Sequence, residues 1–340
     1  MVNPGIERVR VNGFAFPLGV YPVEPIAPKA GFTVDFEPAD GDEEWEEWPD
    51  RYRYEVLVSA ERIKPLCSAL FSLLPGRFYP ILDVLGNDAF REIDPYIAYE
   101  LVGCEGFYDG LRWFEPFLYE DGLCGFGAMS EEPFMYFFID EHKVLTIRVE
   151  THEKERVDRL LTAFDLTPIA GEIQAPDAVG HEHRSVLLTP DDQPELPGPE
   201  EVTEALVDLW GMTLNIDVER NTDDEGADLG VTAWRCVVRR TQDDDVPADA
   251  SKPATRYAEV LLTAPNWRAA EEMALHAAVP EAAAQGKVAA VDPLDDPDLR
   301  LVAADRVTRR ELDGLLGAPT ADEAFEPGSE GRILRVRWLE

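Results

Sequence analysis

Residues able to do chemistry are few in this chain, and the histidines are the first to read. His181 and His183 flank Glu182, and two histidines two apart on an extended segment lie on one side of it, where both could reach one metal ion. A site needs more donors and groups to orient the rings. No third ligand is evident from spacing, and the pair falls in a proline-rich stretch, so a solvated linker without metal is expected. Cys104 can be set on paper beside His142 or His152 as a nucleophile pair, but nothing in the sequence brings them together, and a buried thiol is the expected state. From Phe107 to Asp121 aromatics alternate with carboxylates. Glu115 with Glu120 or Asp121 could serve as acid and base beside flat rings, as in a hydrolase or carbohydrate-binding enzyme. Trp113, Phe114, Phe117 and Leu118 also recur at helical core spacing, and a core helix is the preferred reading.

Four arginines form a second kind of candidate. Arg235 and Arg239 share one strand face, as do Arg335 and Arg337 on another; were the two strands neighbours, they would build an anion site. Cross-strand pairing with Asp217 and Glu219 is the competing expectation and the preferred one. The run from Asp35 to Asp50 holds nine acids and no base. Its centre, Glu43-Glu44-Trp45-Glu46-Glu47-Trp48, combines long-range attraction for a cationic surface with two interface anchors. Cofactor signatures are missing: there is no G-x-x-x-x-G-K-[ST], no G-x-S-x-G and no EF-hand spacing, and Gly122, Gly125 and Gly127 are in the wrong order for a dinucleotide loop. No cofactor is expected.

The elements that would carry these residues divide into two kinds. Of 16 Phe and 10 Tyr, all but one of each precede residue 171, so two separately packed cores are inferred. The expected organisation is an extension with the acidic arm over 1–50, an aromatic-rich α+β domain over 51–172, a proline-rich linker over 173–199, and an α+β domain rich in Ala, Arg and Asp over 200–340. Period-2 alternation at Leu145-Thr146-Ile147-Arg148-Val149, at Leu214 to Val218, at Trp234 to Val238 and at Leu334 to Trp338 predicts strands with one wet face. Phe134–Asp140 and Val144–Val149 read as a hairpin over Glu141-His142-Lys143. Helices are expected over 61–74, 108–119, 157–164 and 199–210, with Asn266 capping another and Thr308 with Glu311 forming a capping box. The fold class is α+β: two domains, each a mainly antiparallel sheet with helices on one face. An echo between Arg53–Ala60 and Arg256–Ala264 suggests ferredoxin-like units.

Charge bounds function. With 68 acids against 31 bases the net charge is −37, spread almost evenly over both halves. Phosphate neutralisation needs clustered cations, so direct nucleic-acid binding is not expected. No apolar run approaches a membrane span, and four scattered cysteines without C-x-x-C suit a reducing cytoplasm. The leading expectation is a non-enzymatic binding or regulatory protein recognising a basic protein surface. The alternatives are a carboxylate-dependent hydrolase or carbohydrate-binding enzyme centred on residues 107–121, and acidity as solvent adaptation.

Overall fold

Leu145, Ile147 and Val149 are buried, and the residues between them are half-buried, the alternation that commits one face of a strand to a core. In the computed structural model, which describes residues 2–39, 48–171, 173, 175–188, 197–242, 254–279, 292–294, 296, 298–326, 328 and 330–339, the chain forms two compact units. The first comprises residues 1–85 and 93–215, the second residues 86–92 and 216–340. Helix and antiparallel sheet are mixed in both. Among the described residues no helix is long and apolar enough to cross a membrane.

The first unit contains β1 (Arg10–Val11), β2 (Phe14–Ala15), β3 (Val20–Pro22), β4 (Gly31–Glu37), β5 (Arg51–Leu57), α1 (Ala60–Phe71), β6 (Arg77–Leu85), β7 (Ile93–Ala98) and β8 (Val102–Gly103). After these come α2 (Cys104–Trp113), α3 (Glu115–Glu120), β9 (Cys124–Glu131), β10 (Phe134–Ile139), β11 (Leu145–Glu150), α4 (Lys154–Ala163), β12 (His181–His183), α5 (Pro199–Trp210) and β13 (Met212–Leu214). Nine of the strands make one antiparallel sheet in the order β13-β7-β6-β9-β10-β11-β5-β4, with β8 on β6. Its inner face meets the helices in a single core that includes Tyr54, Leu66, Phe78, Phe107, Phe137, Leu161 and Trp210.

Four expectations change here. The helix and strand expected to open the second domain, α5 and β13, belong to the first unit: β13 pairs with β7, and Trp210 lies against Gly110, where an added Cβ would be 2.7 Å from the indole. Only glycine admits that approach. The expected linker is also part of this unit, since β12 pairs with β3 and Val186, Leu187 and Leu188 are buried. Leu214 to Val218 is not one strand, because a turn held by the Asp217 carboxylate and carbonyl follows β13. The aromatic helix is two, α2 and α3, split at Phe114.

The second unit contains β14 (Thr232–Gln242), β15 (Ala254–Ala264), α6 (Trp267–Ala277), β16 (Leu299–Val307), α7 (Arg309–Leu316) and β17 (Arg332–Leu339). Its sheet runs β16-β14-β15-β17, all antiparallel. Among the described residues the connectivity is β-β-α-β-α-β, which differs from the β-α-β-β-α-β of a ferredoxin-like unit. Helices cover both faces rather than one: Val260 and Leu262 pack on α6, and Leu261 packs with Leu312 of α7. That explains why Val260-Leu261-Leu262 breaks alternation. The caps are as expected, with Asn266 accepting from the Ala269 N–H and Thr308 and Glu311 closing a capping box before the left-handed Gly317.

A buried ion pair ties segment 86–92 into this unit. Arg306 donates its backbone N–H and Nε–H to the Asp88 carboxylate at 2.8–3.0 Å, with both side chains almost fully buried. Its Nη1 reaches the Asn221 side chain and the Thr222 carbonyl. Removing one member of such a pair strands the other charge. Asp88→Ala is therefore expected to destabilise the second unit by about 3–5 kcal/mol in urea denaturation; a loss under about 1 kcal/mol would contradict this.

Candidate metal centre

The β10–β11 hairpin turns tightly at Asp140. Its N–H donates to the Val144 carbonyl, its own carbonyl accepts from Lys143, and its Oδ1 takes the Val144 N–H at 2.8 Å. Lys143 adopts φ +64°, and its buried ammonium donates to the Cys124 carbonyl. The turn is thus anchored on both sides of His142.

The other two histidines are set by backbone contact. Gly19 and Gly122 lie so close that a Cβ on either would be 2.1 Å from the other's backbone. Around them the Gly19 N–H donates to the Glu120 carbonyl, the Arg184 N–H to the Gly19 carbonyl, and the Gly122 N–H to the Arg184 carbonyl. Asp121, fully buried, accepts from the Val186 N–H at 2.8 Å, the Ser185 hydroxyl at 3.0 Å and the Leu123 N–H at 2.9 Å. Burial pushes its carboxyl upward despite these donors and the charge of Lys143. The result is β12 fixed on β3, with His181 opposite Pro22 and His183 opposite Val20.

His142, His181 and His183 then meet. The three ring centroids are each 4.9 Å from the other two, with interplanar angles of 71–73°, close to three-fold symmetry. One ligand nitrogen from each lies within 4.8 Å of the others, and the His142 and His181 Nε2 atoms are 3.2 Å apart. Nitrogens bound at about 2.0–2.1 Å in a tetrahedron stand roughly 3.3 Å apart, so this pair already has ligand spacing.

Orientation comes from the far side of each ring. His181 Nδ1 is 2.9 Å from the Val179 carbonyl and His183 Nδ1 is 2.7 Å from the Gly122 carbonyl; both contacts require Nδ1–H. His142 Nδ1 is 3.4 Å from Glu141 Oε1. These partners leave the Nε2 lone pairs of His181 and His183 available, and carbonyl and carboxylate partners of this kind orient metal-bound imidazoles. Lone pairs aimed at a common point repel unless a cation stands between them. Three imidazoles suit zinc and its neighbours in the first transition row, and three protein ligands leave a coordination position for water or substrate. Among the described residues this is the one group of three or more His, Cys, Asp or Glu with such convergence.

Most other residues singled out in the sequence do not gather. Glu115 pairs with Lys64. Glu120 takes a two-pronged bond from Arg8 and the Leu18 N–H, and Asp121 holds the Ser185 hydroxyl and the Val186 N–H. All three carboxylates have structural partners. Trp113 is 58% exposed while Phe117 is buried. Cys104 is exposed rather than buried, and His142 belongs to the histidine cluster. In the acidic arm, Asp35 and Glu37 are in β4, Glu37 accepting from Arg51 and Arg148. Trp48 packs edge-on to Phe134 at 5.0 Å. Glu43, Glu44, Trp45, Glu46 and Glu47 lie outside the described residues. Arg235, Arg335 and Arg337 do meet, on Glu259; Glu219 instead pairs with Arg268.

Comparison with protein-family models, with curated proteins and with solved structures gives no match.

The field near the cluster is negative. Asp83 on β6 is pushed up to about 6 by burial and then by the charge of Glu141. An acid whose pKa is raised on folding favours the folded state while protonated, so this contribution is lost as pH rises from about 4 to 6. Asp83→Asn should therefore stabilise the metal-free protein at pH 7 by up to about 2–3 kcal/mol, with the gain vanishing near pH 4. Equal effects of the substitution at both pH values in urea denaturation would refute it.

Proposed function

We propose that this protein is a metalloprotein that holds one divalent ion of the zinc class through His142, His181 and His183, and that it uses the remaining coordination position for hydrolytic chemistry. The observation that carries the reading is the near three-fold convergence of the rings. Three of the chain's 5 histidines come from two segments 39 residues apart in sequence and meet with their far nitrogens against acceptors. A structural zinc site closes with four protein ligands, whereas three plus water is the arrangement of catalytic zinc. A metal so placed supplies a Lewis acid and a bound water acidic enough to act as a nucleophile near neutral pH.

The chain's own residues would do the rest. Val179 and Gly122 fix two rings through their carbonyls, and Glu141 faces the third. The acidic surroundings, Asp140 and Glu141 beside His142 and Glu182 between the other two, favour a cation and disfavour anionic substrates, so a neutral or cationic substrate fits best. What supports the other expectation, recognition of a basic partner, is the net charge of −37, which speeds encounter without selecting a partner.

Zinc titration against a chromophoric chelator should give one tight site per chain, with each of His142→Ala, His181→Ala and His183→Ala weakening it at least about 100-fold. The zinc-loaded protein should hydrolyse p-nitrophenyl acetate, and His142→Ala should lose that activity. Tight binding that survives loss of any one histidine would contradict the assignment of the ligands. Tight three-histidine binding without hydrolysis would contradict the hydrolytic role.

A further inference from the structure

The large sheet of the first unit has a second face, turned away from its core. Leu82, Phe126 and Phe137 belong to the core, so Asp83, Gly125, Gly127, Tyr136 and Phe138, which alternate with them along β6, β9 and β10, lie on the other side. Register sets Asp83 beside Gly125, and Phe138 beside Gly127. A Cβ on Gly125 would come 2.8 Å from Phe138 Cζ, and one on Gly127 3.0 Å from its Cδ2. The Phe138 ring therefore lies across both glycines, and its tip reaches the residue paired with Asp83. Tyr136 stacks beside it, with ring centroids 6.0 Å and planes 30° apart. Arg148 stands 5.4 Å from the Tyr136 ring centroid and is itself bonded to Glu37.

Two polar groups on this face are uncommitted. Among the described residues neither the Asp83 carboxyl nor the Tyr136 hydroxyl has a hydrogen bond or an ion pair, and both side chains are half-buried. Burial first, and then the charges of Asp83 and Asp140, push the Tyr136 hydroxyl up to about 12, against the opposing charge of Arg148. Asp83, raised to about 6, is still ionised at pH 7, and the charged group that shifts it, Glu141, has the same sign. A half-buried carboxylate without a counter-charge is unfavourable, and a bound cation would supply one. The face also leads to the histidines: His142 Nδ1 is 3.4 Å from Glu141 Oε1 and 4.0 Å from Asp140 Oδ2.

We propose that this face binds a basic side chain, an ammonium or guanidinium group on an aliphatic stem. The charged end pairs with Asp83, the Tyr136 oxygen offers a second acceptor, and the stem rests on the Phe138 ring, whose face also attracts the cation. The negative field of Asp83, Asp140 and Glu141 selects a cation over a neutral group of the same shape. Calling this ligand the anchoring group of a substrate rests on the proposed function; the cation site itself does not.

The test is calorimetric titration of N-acetyl-arginine amide, and of its neutral isostere N-acetyl-citrulline amide, into the full chain freed of metal with a chelator. It is run at pH 7 and about 0.15 M ionic strength, so that diffuse attraction is screened. Saturable binding of the arginine probe is expected, at least about ten-fold tighter than that of the citrulline probe. Asp83→Asn should bring the two probes to equal affinity, and Phe138→Leu should weaken the arginine probe about three-fold. If Asp83→Asn does not fold, Phe138→Leu and the pair of probes decide the matter. No saturable binding of the arginine probe, equal affinity for both probes in the unaltered chain, or a preference for arginine that survives Asp83→Asn would overturn the proposal. With no metal present, these outcomes leave the assignment of the three histidines untouched, and a failure of zinc binding would leave this site untouched.

Discussion

The backbone contact between Gly19 and Gly122 is the constraint from which the site follows. Two chain segments approach closer than any side chain permits, and the hydrogen bonds of Gly19, Gly122 and Arg184 interlock around the contact. That arrangement lays β12 on β3 and turns the Gly122 carbonyl toward His183. Without it, His181 and His183 would be a pair on a loop. With it, they face a hairpin turn that is itself anchored at Asp140 and Lys143. Rigid support on both sides is what allows three rings to meet at matched distances, and metal sites gain affinity from such preorganisation.

Buried carboxylates do the positioning in both units. Asp121 accepts from the Ser185 hydroxyl and from the Val186 and Leu123 N–H groups, Asp88 binds the backbone and side chain of Arg306, and Glu259 collects three arginines. In each case the acid is desolvated and matched by donors, as burial demands. A strongly acidic composition therefore contributes more than a solvated surface: a few of its acids fix the geometry on which the histidine cluster and the arginine cluster rest.

Local order was legible in the sequence where it depends on local chemistry. The hairpin around His142, the Asn266 cap, the capping box at Thr308 and the strand at Leu145 all follow from periodicity and caps. Two of the three clustered histidines, His181 and His183, stood out in the sequence, although a solvated linker without metal was the preferred reading there. The third did not, because pairing with His142 depends on a glycine contact between residues 103 apart in sequence, which no spacing rule encodes. The same blindness assigned α5 to the wrong unit: its apolar stripe shows that it packs, while the partner is set by a gap over Gly110 that only Trp210 fills. For the arginines the preferred expectation was pairing with Asp217 and Glu219; Arg235, Arg335 and Arg337 do pair with an acid, but it is Glu259 on the strand between them.

The proposed function requires that His142, His181 and His183 together bind one ion and leave a coordination position open. X-ray absorption at the zinc edge of the stoichiometric complex tests it most directly. Four light-atom donors at about 2.0–2.1 Å are expected, with multiple-scattering features of three imidazoles. A shell containing sulfur, or a count of one or two imidazoles, would contradict it.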